Sequence, residues 1–94
     1  MFGSLSLSIT AGSPVALATG VSSGMSDTSI ELSLRAPLTN AGIIYIGDSG
    51  VDSSSFPLYP GDVLSINNKV RLTELFADAS SSNDKLTGIY VIAD

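Results

Sequence analysis

Residues 40–66 read NAGIIYIGDSGVDSSSFPLYPGDVLSI. Two apolar runs, one around Ile44 and one around Val63, flank a polar link of Asp, Ser, Gly and Pro. An acidic ion-binding loop and a turn between two β-strands draw on the same residue types. Asp48 and Asp52 in GDSGVDSSS offer oxygens to a hard cation, but they lack the alternate-position acids and the terminal Glu of a helix-loop-helix calcium site. Asp and Ser that cap backbone donors explain the same residues with less. In PLYPGD the two prolines restrict the chain before the next strand, and Gly61 suits a position of positive φ. Residues 47–61 therefore read as a turn-rich link, with ion binding at Asp48 and Asp52 the lesser alternative.

Outward from this link the chain alternates. SLSLSIT places Leu5, Leu7 and Ile9 on one face, and SIELSLRA does the same with Ile30, Leu32, Leu34 and Ala36, which is the period of a half-buried strand. VALA at 15–18, GIIYIG at 42–47, DVLSI at 62–66, LFADA at 75–79 and LTGIYVIA at 86–93 add five further candidates. The segments between them, among them TAGSP, TGVSSGMSD, TNAG and SSSND, are rich in turn-forming residues. One short helical turn is expected at RLTELFA, after Thr73. Seven to eight short strands at this spacing, in a chain of 94 residues, predict a single all-β domain over 1–94, a small antiparallel β-sandwich.

The closing strand sets Ile89, Val91 and Ala93 against Leu86, Tyr90 and Ile92, so both of its faces are apolar. Such a strand is either covered on both sides within the domain or lies against another subunit. The aromatic residues Phe2, Tyr45, Phe56, Tyr59, Phe76 and Tyr90 are expected mainly in the core, with a sugar- or base-stacking platform the lesser reading. Asp78 and Asp84 read as turn and solvated-face residues.

Composition limits the chemistry. Histidine and cysteine are both absent, which removes the usual general base, the thiolate nucleophile and the commonest transition-metal ligands. The 17 serines show no Gly-x-Ser-x-Gly elbow, and GDSG at 47–50 has no histidine to complete a triad. No catalytic, cofactor-binding or metal-binding residue is assigned, and the chain is not expected to be an enzyme or to need a cofactor. A net charge of −5 with four cations offers no basic stripe, so nucleic acid is not an expected partner. The opening MFGSLSLSIT lacks the pattern of a signal peptide and no run reaches membrane-spanning length, so synthesis in the cytoplasm and no membrane partner are expected.

The order NAGIIYIGDSGV, PLYPGDVLSI, LTELFADAS and DKLTGIYVIAD resembles a group of short proteins from tailed bacteriophages. The matching residues are Asn40, Gly42, Tyr45, Gly47, Gly50, Val51, Leu58, Pro60, Gly61, Leu72, Leu75, Phe76 and Tyr90. The likeness covers residues 40–94 well and the first 39 more loosely. It implies a β-sandwich or jelly-roll-like domain of the virion, with no catalytic residues. The implied role is capsid decoration: a cement protein, made in the host cytoplasm, binding the major capsid protein on the outer surface of the head and stabilising contacts between capsomers. A homo-oligomer is expected with it, a trimer being favoured because decoration sites commonly have threefold symmetry. The alternative is a receptor- or glycan-binding module of a head or tail fibre. A small cupin-like ligand binder is the third class, opposed by the missing histidines.

Overall fold

A computed structural model of the chain describes residues 2–20, 28–68 and 70–92. Among them are nine strands: β1 Phe2–Ile9, β2 Val15–Ala16, β3 Thr28–Arg35, β4 Ile44–Gly47, β5 Phe56–Leu58, β6 Val63–Ile66, β7 Val70–Arg71, β8 Phe76–Ala79 and β9 Asp84–Ile92. They form two antiparallel sheets. The first, sheet A, has the order β1-β9-β3-β6, with β7 also pairing β3, and the second, sheet B, has the order β2-β8-β4-β5.

The pairing has a simple logic once the short β7 is set aside. β4 pairs β5, β3 pairs β6, β2 pairs β8 and β1 pairs β9, so the first half of the chain is matched in reverse by the second half. The molecule is one long hairpin wrapped into two sheets, which is the jelly-roll arrangement. The tip of that hairpin is the link between β4 and β5, inside the stretch quoted above. The polar link therefore lies at the midpoint on which the whole pairing depends.

Alternation accounts for the core. Leu5, Leu7 and Ile9 of β1 are buried while Ser4, Ser6 and Ser8 are exposed; in β3, Leu32 and Leu34 are buried and Glu31 and Arg35 exposed. Sheet B contributes Ile44, Ile46, Leu58, Ala77 and Ala79, and the connections add Leu17, Ala36 and Leu72. Each fully buried Leu or Ile stabilises the fold by roughly 1.5–3 kcal/mol relative to exposure. Because the side-chain period is two, a one-residue slip of any long strand would exchange serines for leucines in the core, so this pattern also sets the register.

Several local expectations are corrected. Only Val15–Ala16 of VALA is strand; the chain then tightens into a 3₁₀ turn, Leu17–Gly20, which buries Leu17 and bonds its N–H to the Leu75 carbonyl at 2.8 Å. At RLTELFA the one short turn lies earlier than expected, closing from Glu74 N–H to Arg71 C=O at 2.9 Å instead of opening after Thr73. β5 and β7 were not expected, the former lying within the presumed link. Of the two alternatives for β9, cover on both sides within the domain is excluded: Leu86 and Tyr90 are buried, while Ile89 is 56% exposed. Ala93, Lys69 and residues 21–27 of the TGVSSGMSD link lie outside the described residues, as do the side chains of Phe2, Ile30 and Ile92.

Candidate functional site

The two acids of the β4–β5 link are engaged by their own backbone. Asp48 Oδ1 accepts the Gly50 N–H at 2.8 Å, and the Asp48 carbonyl accepts the Val51 N–H at 3.0 Å. Asp52 Oδ1 accepts both the Ser54 N–H at 2.9 Å and the Ser54 hydroxyl at 2.6 Å, while Ser55 Oγ accepts the Asp52 N–H. The Ser54 hydroxyl and N–H favour the charged carboxylate and hold the Asp52 pKa below the usual aspartate range. Val51, between the two acids, is buried and pins the link to the sandwich. This is the geometry of two consecutive capped turns. Among the described residues no group of three or more His, Cys, Asp or Glu is placed to hold a metal ion.

At the opposite end of the sandwich, four connections meet: 10–14, 36–43, 59–62 and 80–83. They are fastened to one another by side chains. Asp84, only 4% exposed, accepts the Ala41 N–H on Oδ1 and the Gly42 N–H on Oδ2, each at 2.8 Å. Asn40 pairs in both directions with the backbone of Lys85. Ser80 Oγ accepts the Ile43 N–H at 2.8 Å and Ser82 Oγ the Ala11 N–H at 3.2 Å. Asp78, also buried, accepts the N–H groups of Gly12 at 3.0 Å and Ala79 at 2.8 Å. Asp78 and Asp84 are thus structural acceptors under covering loops, not the solvated residues that their Ser- and Asn-rich surroundings suggest.

The 59–62 connection is a tight turn of the type that needs Pro then Gly. The Asp62 N–H reaches the Tyr59 carbonyl at 2.8 Å, Asp62 Oδ2 accepts the Tyr59 N–H at 2.9 Å, and Gly61 sits at φ 93°. Gly61 and Asp62 also bond to the two sides of Ala36, so this turn is locked to the start of the 36–43 connection. A Cβ on Gly61 would lie 2.8 Å from Leu38 Cδ2, which shows how closely Leu38 lies over the turn. Leu38 is nevertheless 71% exposed, and Tyr59 beside it 54%.

Among the described residues, the other exposed large hydrophobic ones are Phe56 on β5, and Val63 and Ile89 on the outer face of sheet A. The aromatic residues are therefore mostly outside the core, contrary to expectation: of the five whose side chains are described, only Tyr90 is buried. Tyr45 and Phe76 are half-buried on the outer face of sheet B, where Tyr45 pairs with Asp78 and Phe76 with Gly47. Alternation misleads here because these strands carry apolar residues on both faces. Leu38 was not singled out in the sequence, although an apolar residue between Pro37 and Thr39 in a turn segment is a detectable signal.

Chemically, these surfaces offer apolar contact on a frame tied by hydrogen bonds. Among the described residues no helix is long and apolar enough to cross a membrane. The chain matches no family model, no curated protein and no solved structure.

Proposed function

We propose that this chain is a structural protein of a tailed-bacteriophage virion, a decoration protein that binds the outer surface of the capsid and clamps neighbouring capsomers. The observation that carries the reading is the fastened loop end, which presents Leu38 and Tyr59 to solvent on a turn tied down at Tyr59, Gly61 and Asp62. Loops already cross-linked by Asp84, Asn40 and Ser80 lose little further freedom on docking, so exposed apolar area there converts efficiently into affinity. The motif residues Pro60 and Gly61, which support the likeness to phage proteins, build this turn. A protein that binds only the assembled shell stabilises that shell by mass action, with no chemistry required. The partner in this reading is the major capsid protein, and a trimer would match the threefold positions of a capsid lattice.

The test is to add purified protein to capsids that lack it and to measure co-sedimentation and resistance of the particles to heat. Binding that stabilises the shell, and that weakens at least tenfold in Leu38→Ser and Tyr59→Ser, is the expected result. The second reading, a receptor- or glycan-binding module, is favoured by the half-buried, outward-facing Tyr45 and Phe76 on sheet B, since sugars stack on aromatic rings presented at a surface. Failure to bind capsids together with saturable binding to host cells or a glycan, lost in Tyr45→Ala, would replace the first reading with the second.

A further inference from the structure

The outer face of sheet A is a patterned surface that the loop-end docking does not use. Register places its side chains in rows across the strands. One row runs Ser4, Ile89, Ser33, Ser65; the next runs Ser6, Thr87, Arg35, Val63; on the other side of the first lie Val91 and Glu31. Ile89 thus stands in the middle of the face, 56% exposed, with a serine on each side. Short serine side chains leave a hollow on either flank of it, one of about 180 Å³ bordered by Ser33, Ser65, Asn67 and Val91. The second hollow lies beside Ser4, Thr87 and Val63.

The charges on this face are arranged symmetrically about the same row. Glu31 and Arg35 are both exposed, and each is two residues from Ser33 along β3, so they flank the central row at about 7 Å on opposite sides. Among the described residues, the outer-face rows on β9 and β3 carry the cations Arg35 and Lys85 beside the single acid Glu31.

We infer that this face binds a second copy of the chain, sheet A against sheet A, about a twofold axis that runs across the strands at the Ser33–Ile89 row. A rotation about that axis reverses the strand direction and keeps each strand over its counterpart. It sets Arg35 of one copy over Glu31 of the other, and it does so twice, because a twofold contact repeats every pair. The same operation sets Val91 over the Thr87 methyl group and brings the two Ile89 side chains together at the centre, next to the serine-lined hollows. Two sheets packed in this aligned way are the ordinary geometry of a β-sandwich, about 10 Å apart. A chain of net charge −5 repels its own copies over most of its surface, and here opposite charges meet instead. Four strands about 4.8 Å apart give a face smaller than the roughly 800 Å² that each partner buries in a standard interface, so the dimer forms in a concentration-dependent way.

The inference does not rest on the virion reading, and it gives the free protein a twofold contact in place of the trimer. Sedimentation equilibrium of the full chain across a micromolar-to-millimolar series tests both. A monomer–dimer equilibrium is expected, with dimerisation weakened at least tenfold in Arg35→Glu and in Glu31→Arg and restored in the double variant that carries both changes. Restoration is the decisive result, since a structural effect of either substitution would persist in the double variant. A second measurement covers the case of a variant that does not fold: the chain has no cysteine, so Ser33→Cys introduces a single thiol close to the axis. A short bismaleimide is expected to cross-link Ser33→Cys into a dimer and to leave Ser53→Cys, in the β4–β5 link, monomeric. A wild-type monomer throughout the series, a trimer, or equal cross-linking at the two positions would overturn the proposal.

Discussion

The carboxamide of Asn40 pairs with the backbone of Lys85 in both directions. Its Nδ2 donates to the Lys85 carbonyl at 2.8 Å, and its Oδ1 accepts the Lys85 N–H at 2.8 Å. A side chain here takes the place of a neighbouring strand at the point where β9 begins. Asn40→Ala removes both bonds, and because the site is accessible to water the freed backbone groups are rehydrated. The expected cost is about 1–2 kcal/mol. For a domain of this size each kcal/mol lowers Tm by roughly 4–8 °C, so a melt followed by circular dichroism reads the change directly. A Tm within 1 °C of wild type would show that the pair does not hold the loop.

Asp84 lies one residue earlier and is buried, so its replacement is expected to cost more. Each of its carboxylate oxygens accepts a backbone N–H, from Ala41 and Gly42. Asp84→Asn keeps the shape but turns one acceptor into a donor facing another donor. The charge-assisted bond is lost and an N–H is left unpaired in a site closed to water. A loss of about 2–4 kcal/mol is expected, measured by urea denaturation at constant slope. An Asp84→Asn variant as stable as Asn40→Ala or more so would contradict this ranking.

Fold class was legible because the long strands obey strict alternation. Leu5, Leu7, Ile9, Leu32 and Leu34 are all buried where a period of two puts them. What alternation does not carry is anything set by a loop lying over a strand. Asp84 follows SSSN and looks solvated until the 40–42 segment folds across it, a contact separated by more than forty residues in sequence. The same holds for Asp78 beneath Gly12. β5 and β7, at three and two residues, are too short to show a period and exist only because a longer neighbour offers them partners. The turn at Pro60 and Gly61 was readable, since Pro and Gly restrict the backbone locally, but the strand at Phe56–Leu58 and the Asp62 cap were not. The apolar outer face at Ile89 was also visible in the closing strand, whereas the exposure of Leu38 and Tyr59 depends on how the 36–43 and 59–62 connections lie over one another.

Gly88 is required by packing within the sheet. A Cβ built there would fall on the Ser33 carbonyl oxygen of the adjacent strand and come within 3.1 Å of Leu34 Cδ2. The obstruction is backbone in a paired strand and has no rotamer by which to yield. Gly88→Ala is expected to destabilise by about 2–3 kcal/mol, at the upper end of the overpacking range. Gly50→Ala, whose Cβ would meet only Asp48 Oδ1 at 3.4 Å, is the matched control and is expected to change stability by less than about 0.5 kcal/mol. Parallel chemical melts of the two variants check the contrast, and equal losses would contradict it.

Asp52 provides the pH test. Its pKa is lowered in the folded chain by the hydroxyl and N–H of Ser54, so the unfolded chain binds the proton more readily than the folded one. Its contribution to stability is therefore complete above the unfolded-state value, about 3.9, and is lost as pH falls through the lower folded-state value. Neutral and alkaline pH leave it unchanged. Because the carboxylate is fully exposed, the effect belongs to the order of the 52–55 turn more than to global stability. Carboxyl carbon shifts followed by NMR from pH 6 to pH 2 are expected to give Asp52 a midpoint below that of the same residue in urea-unfolded chain. Ser54→Ala removes the hydroxyl that is the first cause of the shift, and is expected to move the midpoint upward while leaving the Ser54 N–H bond in place. A midpoint that does not move in Ser54→Ala would mean that the hydroxyl does not hold the carboxylate, and that the second of the two turns is set by backbone alone.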